Sequence, residues 1–340
     1  MRAAWYERTG DAADVLEVGE METPSPAAGE VLVRVMASGI NQSDTKRRAG
    51  WRGHTMAFPR IVPHSDGAGI VEAVGAGVDR ARIGQRFWLY NAQRDRPWGT
   101  AAQYVALPAD QAVPLPDGVE FATGACLGVP ASTAHFAVFA DGPVAGLTVL
   151  VASGSGGVGH NAVQFATAAG ATVIATTGSD ARVAYVLGAG ADHVINYLTE
   201  TVADRVLEIT GGAGVDRVVE VDFGANLATD VAVIKPKGVI ASYSSTRVPE
   251  PVLPYYPLAY KGVTVRFVQA YLLPAAARAA AIRDINAALV EGTLVPTIGA
   301  VYPLERIGEA HRMAEILGRV QGRVVIDLAA GKPRSKGQID

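Results

Sequence analysis

The residues whose types and spacing speak most directly of chemistry lie in one stretch, LTVLVASGSGGVGHNAVQFATAAGATVIATTGS, from Leu147 to Ser179. Gly154, Gly156 and Gly159 stand in G-x-G-x-x-G spacing. Before them runs an apolar segment, Thr148 to Val151; after them come a helical pattern carrying Ala162, Val163, Phe165 and Ala166 and a second apolar segment, Ala171 to Ala175. This is a βαβ unit with its glycines at the strand-to-helix turn. Such a turn serves to hold a pyrophosphate. One glycine permits the tight bend, a second lets backbone N–H groups approach the phosphates, and a third lets helix and strand pack closely. The helix start adds partial positive charge. Gly154, Ser155, Gly156, Gly157, Val158 and Gly159 are therefore the candidate dinucleotide contacts. No serine–histidine–acid or paired-carboxylate constellation argues for hydrolysis, and His135, His160 and His193 fall on or near core elements with no catalytic role assigned.

Which dinucleotide is read at the end of the second strand, where NAD sites commonly place an acid for the ribose 2′-hydroxyl. In ATTGSDAR that position is Thr177. Ser179 can hydrogen-bond a phosphate and Arg182 can pair with one bidentately, which favours NADPH. Asp180 is the awkward neighbour: it either caps the next helix or, turned inward, would repel a phosphate.

The elements that must position these residues are of α/β type. With 340 residues, 49% of them hydrophobic, the chain is long enough for about two domains. Up to residue 123 it reads as many short strands between Gly, Pro and Asp turns, including Val31 to Met36, Gly69 to Val74, Arg86 to Tyr90 and Gln103 to Leu107, a small barrel-like β domain. From Gly124 strands and helices alternate. Helices are expected from Asp180, Glu200 and Ala225, and strands at His193 to Tyr197, Val215 to Val221 and Gly238 to Tyr243. Val263 to Val268 would extend a doubly wound parallel sheet at its edge. An Ala-rich helix runs from Pro274 through Leu289, another from Leu304 to Leu317, then a strand, GRVVIDL, and a polar, loosely held tail.

Composition narrows the function classes. A net charge of −3 leaves no basic footprint for nucleic acid or an anionic membrane. The single cysteine, Cys126, excludes an internal disulfide framework and a cysteine-cluster zinc site, and fits a reducing, cytoplasmic compartment. The N-terminus carries charges throughout, so no secretory signal is expected. From Gly142 to Ser179 there is no Asp, Glu, Lys or Arg, but the repeated Gly and Ser and the strand–helix–strand alternation fit a buried parallel sheet rather than a membrane span.

In order, SGINQSDTKRRAG, PHSDGAGIVEAVGAGV, DGVEFATGACLGVPASTAH, VASGSGGVGHNAVQFA, LGAGADHVINY and AALVEGTLVPTIGAVYPLERIGEAH make a chain that resembles, over nearly its whole length, the zinc-free quinone oxidoreductases of the medium-chain dehydrogenase/reductase superfamily, the zeta-crystallin type. The resemblance implies a GroES-like β-rich catalytic domain, residues 1–123, a Rossmann NADP-binding domain, residues 124–265, and a return to the catalytic domain over residues 266–340. It implies a homodimer through edge strands of the nucleotide domain, here Val263 to Val268, and hydride transfer in the cleft between domains. Laid on zinc-dependent relatives, the metal ligand positions hold Asn41, Ser65 and Val129, with Asp66 at the glutamate. An amide, a hydroxyl and a valine cannot hold zinc, so no metal is expected. His64, one position before the ligand slot, reads as a hydrogen-bonded loop histidine.

By the same resemblance Asn41 and Asp44 lie near the nicotinamide, Arg182 takes the place of a lysine serving the 2′-phosphate, and Tyr197 stands near the same group. Thr133 lies along the cofactor entry, with Tyr243 and Ser244 after the strand ending over it. Asn41 and Asp44 are also ordinary turn formers. Lys46 and Arg52 occupy positions where relatives often carry tyrosines bordering the quinone, which points to an acidic or strongly polarised acceptor, unless both simply face solvent. The leading expectation is an NADPH-dependent, zinc-independent reductase of a quinone. Reduction of the C=C bond of an enone, enal or enoyl thioester is the alternative, and an NADPH-binding structural or sensor protein is the reading from another class.

Overall fold

The computed structural model describes residues 1–316 and 320–329. The expected helix end at Leu317 and the polar tail from Ala330 lie outside them. Contacts divide the chain into two units, Met1–Val129 with Thr297 onward, and Pro130–Pro296.

In the second unit the β-branched runs form a six-stranded parallel sheet. Its order is His193–Asn196, Thr172–Thr177, Thr148–Val151, Val215–Glu220, Ile234–Ser242, Thr264–Phe267. Taken in chain order the strands run 3-2-1-4-5-6, so the sheet is doubly wound and reverses beside Thr148–Val151. Val149, Val173, Ile174, Val218 and Ile240 are wholly buried, which accounts for the uncharged stretch around the glycine turn: a parallel strand covered on both faces has no solvent side for a charge. Leu150, Ile174, Ile195, Val218, Phe223, Leu227 and Ile240 share one core.

In the first unit, Val31, Val33 and Val35 alternate inward from the strand Glu30–Gly39. That strand lies in a mixed sheet ordered Ile298–Pro303, Arg323–Asp327, Glu30–Gly39, Asp66–Val74, Arg86–Leu89, Ala112–Pro114, with Tyr104–Pro108 also paired to it. Arg323–Asp327 runs antiparallel to it, Val325 opposite Gly39 and Asp327 opposite Ala37. The N-terminal strand Arg2–Trp5 pairs with Glu17–Glu20, a hairpin the sequence pattern does not announce.

The units divide at Val129/Pro130 and Pro296/Thr297, not at 123/124 and 265/266. The helix Ala275–Glu291 belongs to the second unit, where its polar side chains find partners. Arg278 Nη1 donates to Ser132 Oγ at 3.0 Å and Nη2 to the Ala270 carbonyl, and Asp284 Oδ2 lies 2.8 Å from His135 Nε2. Beyond the helix, Val295 N–H reaches Gln164 Oε1 at 2.7 Å. The helix expected from Asp180 opens as a 3-10 turn, Asp180–Arg182, before Val183–Gly188. His193, expected near the core, starts its strand exposed.

Candidate functional site

The strand Thr148–Val151 ends in the turn that leads to the helix Gly157–Ala168. The left-handed residue there is Ser153, at φ 60°, not one of the glycines. What the glycines supply is space. A Cβ on Gly154 would stand 2.9 Å from both Ala175 Cβ and Val186 Cγ1, and one on Gly159 would strike the Ser153 carbonyl. At Gly156 a Cβ would meet only Ser153, its Oγ at 3.2 Å, so internal packing demands a glycine there less than at Gly154 or Gly159. Gly154 N–H is fixed to the Thr176 carbonyl at 2.8 Å and Ser153 N–H to Thr176 Oγ1 at 2.9 Å, which ties the turn to the neighbouring strand. Gly156 is the N-cap of the helix, has no side chain to close the helix start, and leaves first-turn N–H groups of Gly157 and Val158 for an anion. The ring of His160 stacks on Tyr185 with centroids 4.1 Å apart, and burial lowers its pKa to about 4.

At the end of the second strand Thr177 is fully buried, its hydroxyl donating to Ser155 Oγ at 3.3 Å. Ser179 takes the cap position of the following turn with no side-chain bond, so Asp180 is not the cap. Asp180 Oδ1 instead accepts from Asn196 Nδ2 at 2.6 Å. Tyr197 is 49% exposed, and its hydroxyl occupies the space a Cβ on Gly178 would need. Ser179, Arg182 and Tyr197 thus follow the ends of two adjacent strands. Thr133 is buried on the helix Gly128–Phe139.

A buried acidic cluster at the end of Val215–Glu220 escapes sequence reasoning. Glu220 accepts from Asp222 N–H and from Asn226 Nδ2, the latter at 2.9 Å. Burial raises the carboxyls of both Glu220 and Asp230, and the charge of Glu220 raises Asp230 further. Asp222 Oδ1 accepts from Thr246 N–H at 2.7 Å and Oδ2 from Arg247 Nε at 2.6 Å, clamping the segment that follows Tyr243 and Ser244. Burial, then the charge of Glu220, raises the Tyr243 phenol. Acidic residues two and ten positions beyond Glu220 give no periodic signal.

In the first unit Asn41 precedes the helix Gln42–Ala49 and Asp44 sits in its first turn; Asn41 N–H donates to Asp44 Oδ2 at 2.8 Å, one half of a capping box. The turn-forming reading of these two therefore holds locally. The Asn41 side chain does more. Its Nδ2 donates to Asp66 Oδ2 at 2.8 Å and its Oδ1 accepts from Arg323 Nη2. Asp66 Oδ2 also accepts Val129 N–H at 2.8 Å. All four family metal positions are thus engaged or inert: Asn41 and Val129 both donate to Asp66, and Ser65 Oγ points at Asp44 Oδ1, 3.4 Å away. An amide, a hydroxyl and an aliphatic side chain do not suit a tetrahedral zinc. Among the described residues no group of three His, Cys, Asp or Glu is placed to hold a metal. Burial raises Asp44, against the pull of Arg47, and pushes Asp66 up to about 7. His64 is hydrogen-bonded, as the loop reading expects, to Ser38 Oγ at 2.7 Å.

Lys46 and Arg52 share a neighbour. Lys46 Nζ lies 4.6 Å and Arg52 Cζ 5.7 Å from the ring centroid of Trp51, within cation–π range. Arg52 takes φ 57°, between Gly50 and Gly53, both also left-handed.

Two family models match the chain, an alcohol dehydrogenase GroES-like domain over residues 27–117 and a zinc-binding dehydrogenase over residues 157–285. The quinone oxidoreductase of Lama guanicoe is 31% identical over 96% of this chain and 98% of its own length. Among solved structures, an NAD-dependent alcohol dehydrogenase superposes with TM-score 0.87 at 29% identity, covering 96% of this chain and 100% of the other. The quinone oxidoreductase of Escherichia coli complexed with NADPH does so with TM-score 0.85 at 25% identity over the same shares.

Proposed function

The chain belongs to the medium-chain dehydrogenase/reductase superfamily as an oxidoreductase of quinone oxidoreductase type with an NAD(P)-binding fold, and on that footing we propose that it transfers hydride from NADPH to a quinone without zinc. The observation that carries the choice of NADPH is the pairing of a tight glycine turn with a strand that ends in Thr177, not in an acid, followed by Ser179 and Arg182. Solved relatives of both cofactor types exist, one NAD-dependent and one holding NADPH, so the preference rests on these residues.

Bound at the turn, the dinucleotide supplies a hydride; the chain's share is to hold and orient it. The helix start, with the N–H groups of Gly157 and Val158, would take the pyrophosphate, while Gly154 N–H and Gly156 N–H hold the turn in shape through the Thr176 and Ser153 carbonyls. Ser179, Arg182 and Tyr197 take the 2′-phosphate, Arg182 as a bidentate donor. Thr133, Tyr243 and Ser244 complete the cofactor contacts. Asn41 and Asp44 replace a metal with hydrogen-bonding groups, and the Lys46, Trp51 and Arg52 cluster favours an electron-poor or anionic acceptor.

We further propose a homodimer. The edge strand Thr264–Phe267 leaves one side unpaired in the sheet, and Tyr260 and Phe267 are 84% and 74% exposed beside it. Light scattering that returns a monomer at every concentration would refute it. Cys126, free and buried, accords with a reducing cytoplasm, and among the described residues no helix is long and apolar enough to cross a membrane.

The test is steady-state oxidation of NADPH and NADH against neutral quinones, carboxylated quinones, enals and enoyl thioesters. Quinone turnover with NADPH supports the reading, and the Lys46→Ala and Arg52→Ala variants should raise KM for the carboxylated quinones several-fold more than for neutral ones. Turnover confined to C=C acceptors moves the assignment to that class, and tight NADPH binding with no turnover overturns the enzymatic reading. A wild-type preference for NADH overturns the NADPH assignment, whereas loss of NADPH preference in Arg182→Ala supports it.

A further inference from the structure

We propose that Asn196 determines the choice between NADPH and NADH by holding the Asp180 carboxylate, the acidic group of the Ser179–Arg182 turn, back from the 2′-phosphate. The inference rests on the NADPH reading above and names a residue outside the set that would touch the cofactor; Asn196 acts through Asp180 and is a positioning residue.

Asn196 closes its strand directly opposite Thr177, the position at which NAD sites carry their acid. It is 6% exposed, and both ends of its amide are committed. Oδ1 accepts Leu198 N–H at 3.1 Å, so the NH₂ must face the other way, where Nδ2 donates to Asp180 Oδ1 at 2.6 Å. The orientation is fixed from two sides, and only the NH₂ end suits a carboxylate. Glu200, the second acid beside these strand ends, is also tied back: Oε1 accepts Asn196 N–H at 2.9 Å and Oε2 accepts Arg205 Nε at 3.0 Å.

Asp180 is exposed, so the Asn196 bond rather than packing restrains it. Released, its carboxylate would lie in the same short turn as Ser179 and Arg182. It would oppose a phosphate there in two ways, by repulsion between like charges and by competing for the guanidinium. A ribose 2′-hydroxyl suffers neither, and can even be accepted by a free carboxylate. Removing Asn196 should therefore weaken NADPH selectively.

The experiment is equilibrium titration of the full chain with NADPH and with NADH, read by nucleotide fluorescence, for wild type, Asn196→Ala, Asp180→Asn and the double variant. The expected result is a fall of about fivefold in the NADPH-over-NADH affinity ratio for Asn196→Ala, the size of effect one solvent-screened charge exerts at close range. In the Asp180→Asn background the same substitution should change the ratio less than twofold. Equal weakening of both dinucleotides by Asn196→Ala would reduce the bond to a strand-end stitch and overturn the proposal, as would a fall that persists with Asp180 removed. Should Asn196→Ala not fold, Asn196→Ser in both backgrounds gives the same comparison. A wild type that binds NADH more tightly than NADPH would instead overturn the cofactor assignment itself, a result visible before any variant is made.

Discussion

The Nε2 atoms of His64 and His311 stand 2.9 Å apart, both rings wholly buried, and the direction of the bond between them is set by the hydroxyls behind it. Thr100 Oγ1 donates to the Asp66 carbonyl at 2.6 Å, which uses its proton. Ser38 Oγ, 2.7 Å away, must then donate to Thr100, and so accepts from His64 Nδ1. His64, neutral and protonated at Nδ1, has a bare Nε2 that His311 Nε2–H fills. His311 Nδ1 is left without a partner. The chain of donors runs one way from His311 to Asp66.

This relay makes the first unit sensitive to acid. Burial lowers His64 to about 3 and His311 well below its ordinary range, the latter helped by its neighbours His64 and Arg48. The unfolded chain takes up these protons below about pH 6.5 while the folded chain refuses them, so stability falls as pH drops from 6.5 towards 3. His64→Asn keeps the left-handed backbone, φ 80°, which asparagine tolerates, but strands the His311 donor. It should cost about 1–3 kcal/mol at pH 7.5. At pH 5 the deficit should shrink by about 2 kcal/mol, because wild type alone still bears the His64 protonation cost. Urea unfolding at the two pH values measures both, and a deficit that does not shrink would contradict the relay.

Asp66 has the opposite sign. Its carboxyl is raised from 3.8 to about 7, chiefly by burial, so the folded chain holds a proton that the unfolded chain releases. Its contribution to stability therefore declines as pH rises from about 4 through 7. Asp66→Asn retains an oxygen for Asn41 and Val129 and carries no charge. Relative to wild type it should gain stability between pH 5 and pH 8, by about 2–4 kcal/mol of change. Calorimetry at both pH values checks this; parallel pH profiles would mean that Asp66 is ionised throughout.

The glycines of the nucleotide turn should separate by substitution. Gly159→Ala places a Cβ against the Ser153 carbonyl and should lower Tm by several degrees. Gly156→Ala meets a lighter contact at 3.2 Å and should change Tm little while weakening dinucleotide binding about tenfold. Thermal melts with and without NADPH distinguish the two; equal loss of Tm in both would contradict the division of labour.

The nucleotide turn is legible in the sequence because everything that defines it is local: a β-branched run, three glycines and a helix lie within one βαβ unit. Even there the reason for Gly154 is not, since its requirement comes from Ala175 and Val186 rather than from backbone angle. The network on Asp66 is illegible because its members, Asn41, Val129 and, through Asn41, Arg323, come from widely separated parts of the chain. The sheet partners of Thr297 onward are equally non-local. The boundary at 265 fails for that reason: a helix rich in alanine reads the same whichever unit holds it, until Arg278 and Asp284 find Ser132 and His135.

Arg323 bears on how the chain comes into being. Synthesised from its N-terminus, the polypeptide makes Asn41 and the strand Glu30–Gly39 early, but the arginine that holds the Asn41 side chain and the Ile40 carbonyl, and the strand that flanks them, come 282 and 283 residues later. The second unit, continuous from Pro130 to Pro296, is complete before then. During translation the nucleotide-binding half can therefore fold first, while the half bearing Asn41 waits with an open sheet edge until the strand Arg323–Asp327 arrives.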